Sequence, residues 1–495
     1  MTRYHYAALT VVLILCLLTS IAILNRGQDW GDDFALYIRQ AASITQGTTA
    51  EFVAQNAFTN ANSSRIFGPS AGAWGFPLVL SPFYGVFGLD PLALKVPGVI
   101  FFLLFLIAFF LLLRERVHPM EGVLIVAVLA FAPVMITFQN DIMSDIPSLA
   151  MSTLAVWLIV RFICENQGRL GSLIENLILG AVIFLAFLFR ASAALLLLTL
   201  FVCQLIMAFQ QRNKLVDRKR ALLHSATPYL VFGILWAISL TVFPGSLETS
   251  SGTLGIASQL NDVEIIKNNL YVYFHMIDEA FLGDISGAKI IYGALLAFFL
   301  IGVLARFKKD YAFLIYSALI LGLLVNFPLL GGPRYFFPIL PFFVYFSFQG
   351  MKAAFSGLSR PSHIIGLSMA YLLWIFLLAA FACTSIRTAA ANLQADRQRD
   401  GPFDAASTQM FDFIKTETDP ESVVIFAKPR AMLLMTDRSS IMINHCDQLS
   451  RGDYIVLLRN VDWGDQVPED ELTACQQGLR QVFENEGFTV YALDE

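Results

Sequence analysis

Three carboxylates stand close together in DWGDDFALYIRQA (Asp29 to Ala41), directly after a long apolar run. Ionised side chains at the edge of a membrane span cost desolvation energy, so they point to function unless local structure needs them. Asp32 or Asp33 can cap a helix beginning near Phe34, but one aspartate suffices for a cap, and the second is left without that role. Asp29 reads as a solvated loop residue. Other charged residues stand at comparable places: Asp141 and Asp145 in NDIMSD, Arg65, Arg190 inside FLAFLFRASAALLLL, and Arg334 with Tyr335 at the start of RYFFPILPFF. A carboxylate can take the proton of a hydroxyl as general base. An arginine can hold a phosphate through two parallel hydrogen bonds without losing its charge. Together these residues suit a reaction between an anionic, lipid-linked donor and a hydroxyl acceptor. Plainer roles compete: an arginine at a span end snorkels to the interface, and Asp145 before Ile146-Pro147 fits a helix N-cap.

The elements that must position these residues are membrane helices. The chain has 495 residues, 57% of them hydrophobic and only 14% charged, with 44 Phe. Its mean hydropathy is +0.65. Many apolar runs approach the roughly 20 residues needed to cross hydrocarbon, so the class is a polytopic α-helical membrane protein. The run Tyr6 to Leu24, after a basic start, is read as an uncleaved first span with a cytoplasmic N-terminus. Pro91 to Leu113 follows, then spans at about 121–138, 146–164, 174–189, 191–209, 223–243, 288–305, 312–329, 335–350 and 363–383. The piece Trp74 to Gly88 is short and interrupted by Pro77 and Pro82, which suits an interfacial or re-entrant helix. Counted this way, the spans place RER, RNKLVDRKR, RFKK and MKAAFSGLSR on one side, and NDIMSD, the segment 244–287 and GGPR on the other. That is the bias of the positive-inside rule. Counting Trp74 to Gly88 as a span would reverse it. About eleven spans, with the N-terminus inside and the C-terminus outside, are therefore expected.

From about Thr384 the chain becomes acidic and polar. Strands are expected at 422–427, 440–444, 453–458 and 488–493, with helices at about 403–417, 429–436 and 468–486. The predicted organisation is thus a transmembrane domain over 1–383, with its outer catalytic loop at about 25–90, and a small α/β periplasmic domain over 384–495. Six cysteines lie scattered without CxxC or Cys/His spacing, so no zinc site is signalled. Cys446 and Cys475 pair only if their domain is extracytoplasmic. His275 and His445 are lone histidines, more often structural than metal-binding. No GxxxxGK[ST], GxGxxG, HExxH or GxSxG occurs, which leaves nucleotide-dependent and hydrolase chemistry without support.

Several stretches resemble GT-C fold glycosyltransferases of the protein O-mannosyltransferase and lipid A aminoarabinose transferase type. Asp32-Asp33 looks like that family's Asp-Glu pair in the first outer loop. GPSAGAWGFPLVLSPFYGVFGLD is similar to its Pro/Gly-rich juxtamembrane helix, and PLALKVPGVI to the start of its second span, with Lys95 where Arg is commoner. FAPVMITFQNDIMSDIPSLAMS resembles its second outer loop, whose acidic residue corresponds to Asp141 or Asp145. RYFFPILPFF resembles its Arg-Tyr start to a late span, and VVIFAKPRAMLLMTDRSS a segment of its soluble outer domain. The resemblance implies a glycosyltransferase that moves a sugar from a polyprenyl phosphate to a glycolipid, glycan or protein acceptor, with inversion, at the periplasmic face of a bacterial inner membrane. It implies Asp32 as general base and Asp33 and Asp141 as its support or as acceptor-orienting groups. Arg65, Arg190 and Arg334, with Tyr335, would bind the lipid phosphate. The oligosaccharyltransferase branch uses a divalent ion at Asp-x-Asp. Here Asp32 and Asp33 are adjacent and Asp29-x-x-Asp32 is wrongly spaced, so no catalytic metal and no cofactor are expected. Membrane lipid is an expected partner and nucleic acid is not. The rival class is a transporter or flippase for a polyprenyl-linked glycan. It would carry polar residues at mid-membrane and on both faces, whereas here they cluster on one.

Overall fold

A computed structural model describes residues 3–65, 68–165, 172–210, 218–246, 263–283, 285, 287–327, 332–356, 360–459, 464–475 and 479–493. Parts of the segment 244–287, of RNKLVDRKR, of MKAAFSGLSR and of GGPR therefore lie outside the described residues. The first helix, α1 (Arg3–Ile23), is apolar along its length. Three helices follow in the first connecting segment: α2 (Asp33–Gln46), α3 (Thr49–Asn62) and α4 (Gly75–Phe87). Gly47 ends α2 in the left-handed conformation, with φ 74°, where a side chain would be strained. The bundle continues through α5 (Pro91–Leu113), α6 (Pro119–Ala130), α7 (Pro133–Gln139), α8 (Asp145–Ile159), α9 (Leu173–Phe189), α10 (Leu195–Gln210) and α11 (Arg218–Val242). It closes with α12 (Val263–Leu282), α13 (Ala288–Arg306), α14 (Tyr311–Val325), α15 (Leu340–Ser356) and α16 (Arg360–Gln394).

Among the described residues every expected span contains an α-helix, but the lengths differ. Among the described residues, seven helices are long and apolar enough to cross a membrane, or eight if α6 and α7 form one broken span. The break is a 56° bend. Pro133 causes it, since it has no N–H to continue the ladder and its ring crowds the preceding turn. Leu173–Phe189 and Tyr311–Val325 are shorter apolar helices. The expected span at 335–350 divides into a 3-10 turn, Pro333–Phe336, and the almost wholly buried α15. One correction concerns a sequence pattern. The segment 244–287, read as an extended outer loop, contains the helix α12. Trp74 to Gly88 forms the short helix α4, as its prolines suggested.

One apolar core runs through the bundle from α1 to α16. Helices α13 and α15 touch backbone to backbone at Gly302 and Gly350: a Cβ on either would collide with the carbonyl of Phe346 or Phe298. Such small-residue crossings replace hydrophobic driving force between membrane helices. Charged groups close the end of the bundle where α5 finishes. Arg116 bonds Asp310 at 2.9 Å, Arg306 bonds the same carboxylate at 2.8 Å, and Lys352 pairs with Glu121 at 2.6 Å.

The sheet sits at the opposite end. The boundary expected at 383/384 falls inside α16, which continues to Gln394. After it come α17 (Ala405–Glu417), capped by Asp404, and α18 (Pro429–Thr436). Five strands, β1 (Val423–Phe426), β2 (Ser439–Ile441), β3 (Tyr454–Leu458), β4 (Leu479–Glu484) and β5 (Phe488–Leu493), pair in the order β2-β1-β3-β5-β4. β1 is parallel to β2 and β3, while β5 is antiparallel to β3 and β4. The helix expected over 468–486 is thereby corrected: α19 (Glu469–Cys475) stops early and β4 takes its place. Pairing with β5 supplies backbone partners that outweigh local helix preference. Cys446 is disulfide-bonded.

The sheet is tied to the bundle through the first connecting segment. Arg26 N donates to Gln398 O at 3.0 Å, and Arg39 reaches Leu433 O at 2.8 Å. Trp30 inserts into the core of the sheet, with ring centroids 5.7 Å from Phe426 and 6.1 Å from Phe488.

Candidate active site

Arg334 lies in the 3-10 turn before α15, and its guanidinium bonds Asp33 at 2.9 Å and stands 3.8 Å from Asp145. Arg190, at the end of α9, bonds the other oxygen of Asp145. Asp145 is almost fully buried and so joins both guanidiniums, while each arginine keeps about a fifth of its surface exposed. The Tyr335 ring lies beneath both: Arg190 is 4.8 Å and Arg334 5.3 Å from its centroid. An aromatic face can hold two cations near each other because its quadrupole attracts each of them. Tyr37 of α2 completes the group, its hydroxyl 2.9 Å from Ser144. Burial pushes that phenol up to about 12.

Burial alone would also raise the Asp33 carboxyl, but Arg334, with Arg430 and Arg190 farther off, outweighs it and holds Asp33 below the usual carboxylate range. Burial opposes charge on Arg190 and Arg334 too. The carboxylates beside them win, so both stay above the ordinary arginine value. Asp33, Arg190 and Arg334 are therefore held in their charged forms. Each guanidinium offers five donors, more than the two carboxylates take. An incoming phosphate would meet two anchored cations set on a rigid aromatic floor.

Asp32 faces elsewhere. It occupies the N-cap position of α2 without making a side-chain cap bond. Its Oδ1 accepts from Ala431 N at 3.4 Å, near the start of α18, and its Oδ2 is buried with no partner. Burial raises Asp32 to about 6, against the opposing pull of Arg430 and Lys428. The capping role expected for one member of the pair is thus taken by neither side chain. Asp145 is not a cap either: α8 starts on it, with Ser144 at the N-cap position, and its carboxylate turns to the arginines.

Asp141 lies on the other side of the loop that carries Met143 and Ser144. It accepts from Gln28 Nε2 at 3.2 Å, while Gln28 Oε1 accepts from Ile142 N at 3.0 Å. Burial, reinforced by Asp29, raises Asp141 to about 7. Behind it the buried Lys95 donates to Asn25 Oδ1 and Gly27 O at 2.6 Å each, and to Asn140 Oδ1 at 3.0 Å. Arg65 stands apart, paired with Asp465 at 2.8 Å beside the sheet, where Lys428 meets the same carboxylate at 3.0 Å.

The structure thus gathers Asp33, Arg190, Arg334 and Tyr335, keeps Asp32 adjacent under α18, and puts Asp141 across a loop and Arg65 farther away. Sequence reasoning gave no role to Tyr37, Gln28 or Arg430, whose types are common and whose positions depend on tertiary folding. Asp145 was visible as the alternative to Asp141, and its signal was a carboxylate preceding a span that also contains a helix-initiating proline. Among the described residues no group of three His, Cys, Asp or Glu side chains gathers as a metal-ligand set.

The family model described as dolichyl-phosphate-mannose-protein mannosyltransferase matches residues 72–237. No curated protein sequence matches the chain. Among solved structures, the oligosaccharyltransferase AglB of Archaeoglobus fulgidus, in complex with an inhibitory peptide and a dolichol-phosphate, is similar with a TM-score of 0.56 at 12% identity, covering 88% of this chain and 64% of AglB. The chain therefore spans less than two thirds of that protein. The same organism's oligosaccharyltransferase in the apo form gives a TM-score of 0.62 at 12% identity over 100% of this chain and 75% of that one. ArnT of Cupriavidus metallidurans bound to undecaprenyl phosphate gives 0.55 at 14% identity, covering 100% of this chain and 98% of ArnT. The fold is accordingly that of GT-C membrane enzymes.

Proposed function

We propose that this membrane protein is a glycosyltransferase that moves one sugar from a polyprenyl phosphate to an acceptor hydroxyl at the sheet end of the bundle. The observation that carries this reading is the pair Arg190–Arg334, locked by Asp145 and Asp33 over the Tyr335 ring. It is a preorganised anion site of the kind that stabilises a leaving phosphate as charge develops on it. The fold shared with proteins solved with dolichol-phosphate or undecaprenyl phosphate supports the same donor class.

In this reading the arginines hold the phosphate, and Asp32 takes the acceptor proton as the hydroxyl attacks the anomeric carbon from the opposite face, giving inversion. Asp33 is occupied by Arg334, whereas Asp32 keeps an oxygen with no partner. A general base needs such a free lone pair and a pKa near the working pH. Asp141 orients the acceptor. Arg65 pairs with Asp465 beside the sheet and not with the Arg190–Arg334 group. The sheet end faces the periplasm, with the N-terminus cytoplasmic. The basic residues near the end of α5 and the start of α14 agree with a cytoplasmic base, and a disulfide at Cys446 suits an oxidising compartment. The membrane is then the bacterial inner membrane, and residues 384–495 act as a periplasmic unit.

The test is comparison of cell-envelope glycans by mass spectrometry with the wild type, with Asp32→Asn and without the protein. Loss of one sugar mass in both altered strains is expected, with normal expression of the variant. A near-normal glycan profile from Asp32→Asn would overturn the assignment of the base.

A further inference from the structure

A recess of 430 Å³ opens on the far side of the loop that separates Asp141 from the arginines. It lies between the end of α1, α7 and the last turns of α16, and the strap at Gln398 to Asp400 borders it. Its polar lining includes Asn25, Gln28, Asp29, Asn140, Asp141 and Asp400. We propose that this recess binds the sugar acceptor, and that this acceptor is a neutral or amino sugar rather than a phosphorylated one. The inference rests on the glycosyl-transfer reading above.

Three observations carry it. The volume falls within the ~300–1,000 Å³ of small-molecule sites. Three carboxylates line the recess and none of the lining residues is Lys or Arg. Lys95, whose charge reaches Asp141 and Asp400, is buried and spends its hydrogens on Asn25, Gly27 and Asn140. A phosphate entering here would be desolvated against like charge, whereas sugar hydroxyls donate to carboxylates and accept from amides. Finally, the site is built and placed: Gln28 fixes Asp141 and the following backbone, and Met143 of the same loop touches Arg334 at 3.8 Å.

The test uses the full-length protein in lipid nanodiscs and saturation-transfer NMR with maltose, glucosamine and glucose 1-phosphate, alongside a separate binding measurement with undecaprenyl phosphate. Maltose and glucosamine are expected to give saturable signals, with glucose 1-phosphate at least about tenfold weaker because of the like-charge lining. Thr388→Trp, on the exposed face of α16 that borders the recess, should abolish both sugar signals and leave undecaprenyl phosphate binding intact. Arg334→Ala should do the reverse. The proposal is overturned if wild-type protein that binds undecaprenyl phosphate gives no saturable sugar signal, if Thr388→Trp leaves the signals unchanged, or if glucose 1-phosphate binds as well as maltose. Saturable, Thr388→Trp-sensitive sugar binding without undecaprenyl phosphate binding would instead sink the transfer reading and retain a neutral-sugar site.

Discussion

Arg334→Lys isolates the phosphate contact from simple charge. Lysine keeps the positive charge but loses the planar fork that reaches Asp33, at 2.9 Å, and Asp145, at 3.8 Å, from separate nitrogens. A hydrogen bond to a charged group is worth about 1.5–3 kcal/mol, and the arginine is a fifth exposed, so the lower half of that range applies. At 1.4 kcal/mol per decade, undecaprenyl phosphate should bind roughly ten- to fortyfold more weakly. Asp33→Asn gives the opposite sign. It removes the carboxylate that competes for Arg334, so lipid phosphate should bind as tightly as in the wild type or more tightly. The assay is native mass spectrometry of nanodisc-embedded protein titrated with undecaprenyl phosphate, with a thermal melt of each variant to confirm folding. Unchanged affinity in a folded Arg334→Lys protein, or weaker binding in Asp33→Asn, would refute a phosphate site at this arginine pair.

Three further outcomes are expected. Asp32 has a folded-state pKa of about 6 against 3.8 unfolded, so the folded protein holds its proton longer and loses stability as pH rises from about 4 to about 6; Asp32→Asn should therefore raise the melting temperature at pH 7.5, by up to about 3 kcal/mol in stability, and leave it unchanged at pH 4. Transfer activity should fall on the acid side with a limb between about 6 and 7, the values of Asp32 and Asp141, and a pH–kcat/KM profile flat down to pH 5 would count against both assignments. Trp30→Ala should cost about 3 kcal/mol by removing the indole from between Phe411, Phe426 and Phe488, and limited proteolysis should then cleave the connection between the sheet and α2 faster than in the wild type.

The sequence alone determined the class and the approximate positions of the apolar helices. Apolar length and the placement of Lys and Arg are local or additive signals, and membrane partition reads them directly. It also singled out Asp32, Asp33, Arg190 and Arg334, because charged groups beside apolar runs are costly wherever the chain folds. Which of them meet was decided by tertiary structure. Asp33 and Arg334 are 301 residues apart and bond at 2.9 Å, and no periodicity reports such a contact. The division of the adjacent aspartates, one held by an arginine and one left with a free oxygen under α18, arises only when the sheet docks on the first loop. The strand β4, where a helix was expected, has the same cause: its edge position beside β5 supplies hydrogen bonds that the local sequence does not encode. Asp29 began as a solvated loop residue; the fold of α16 and its strap turned it into one wall of a recess.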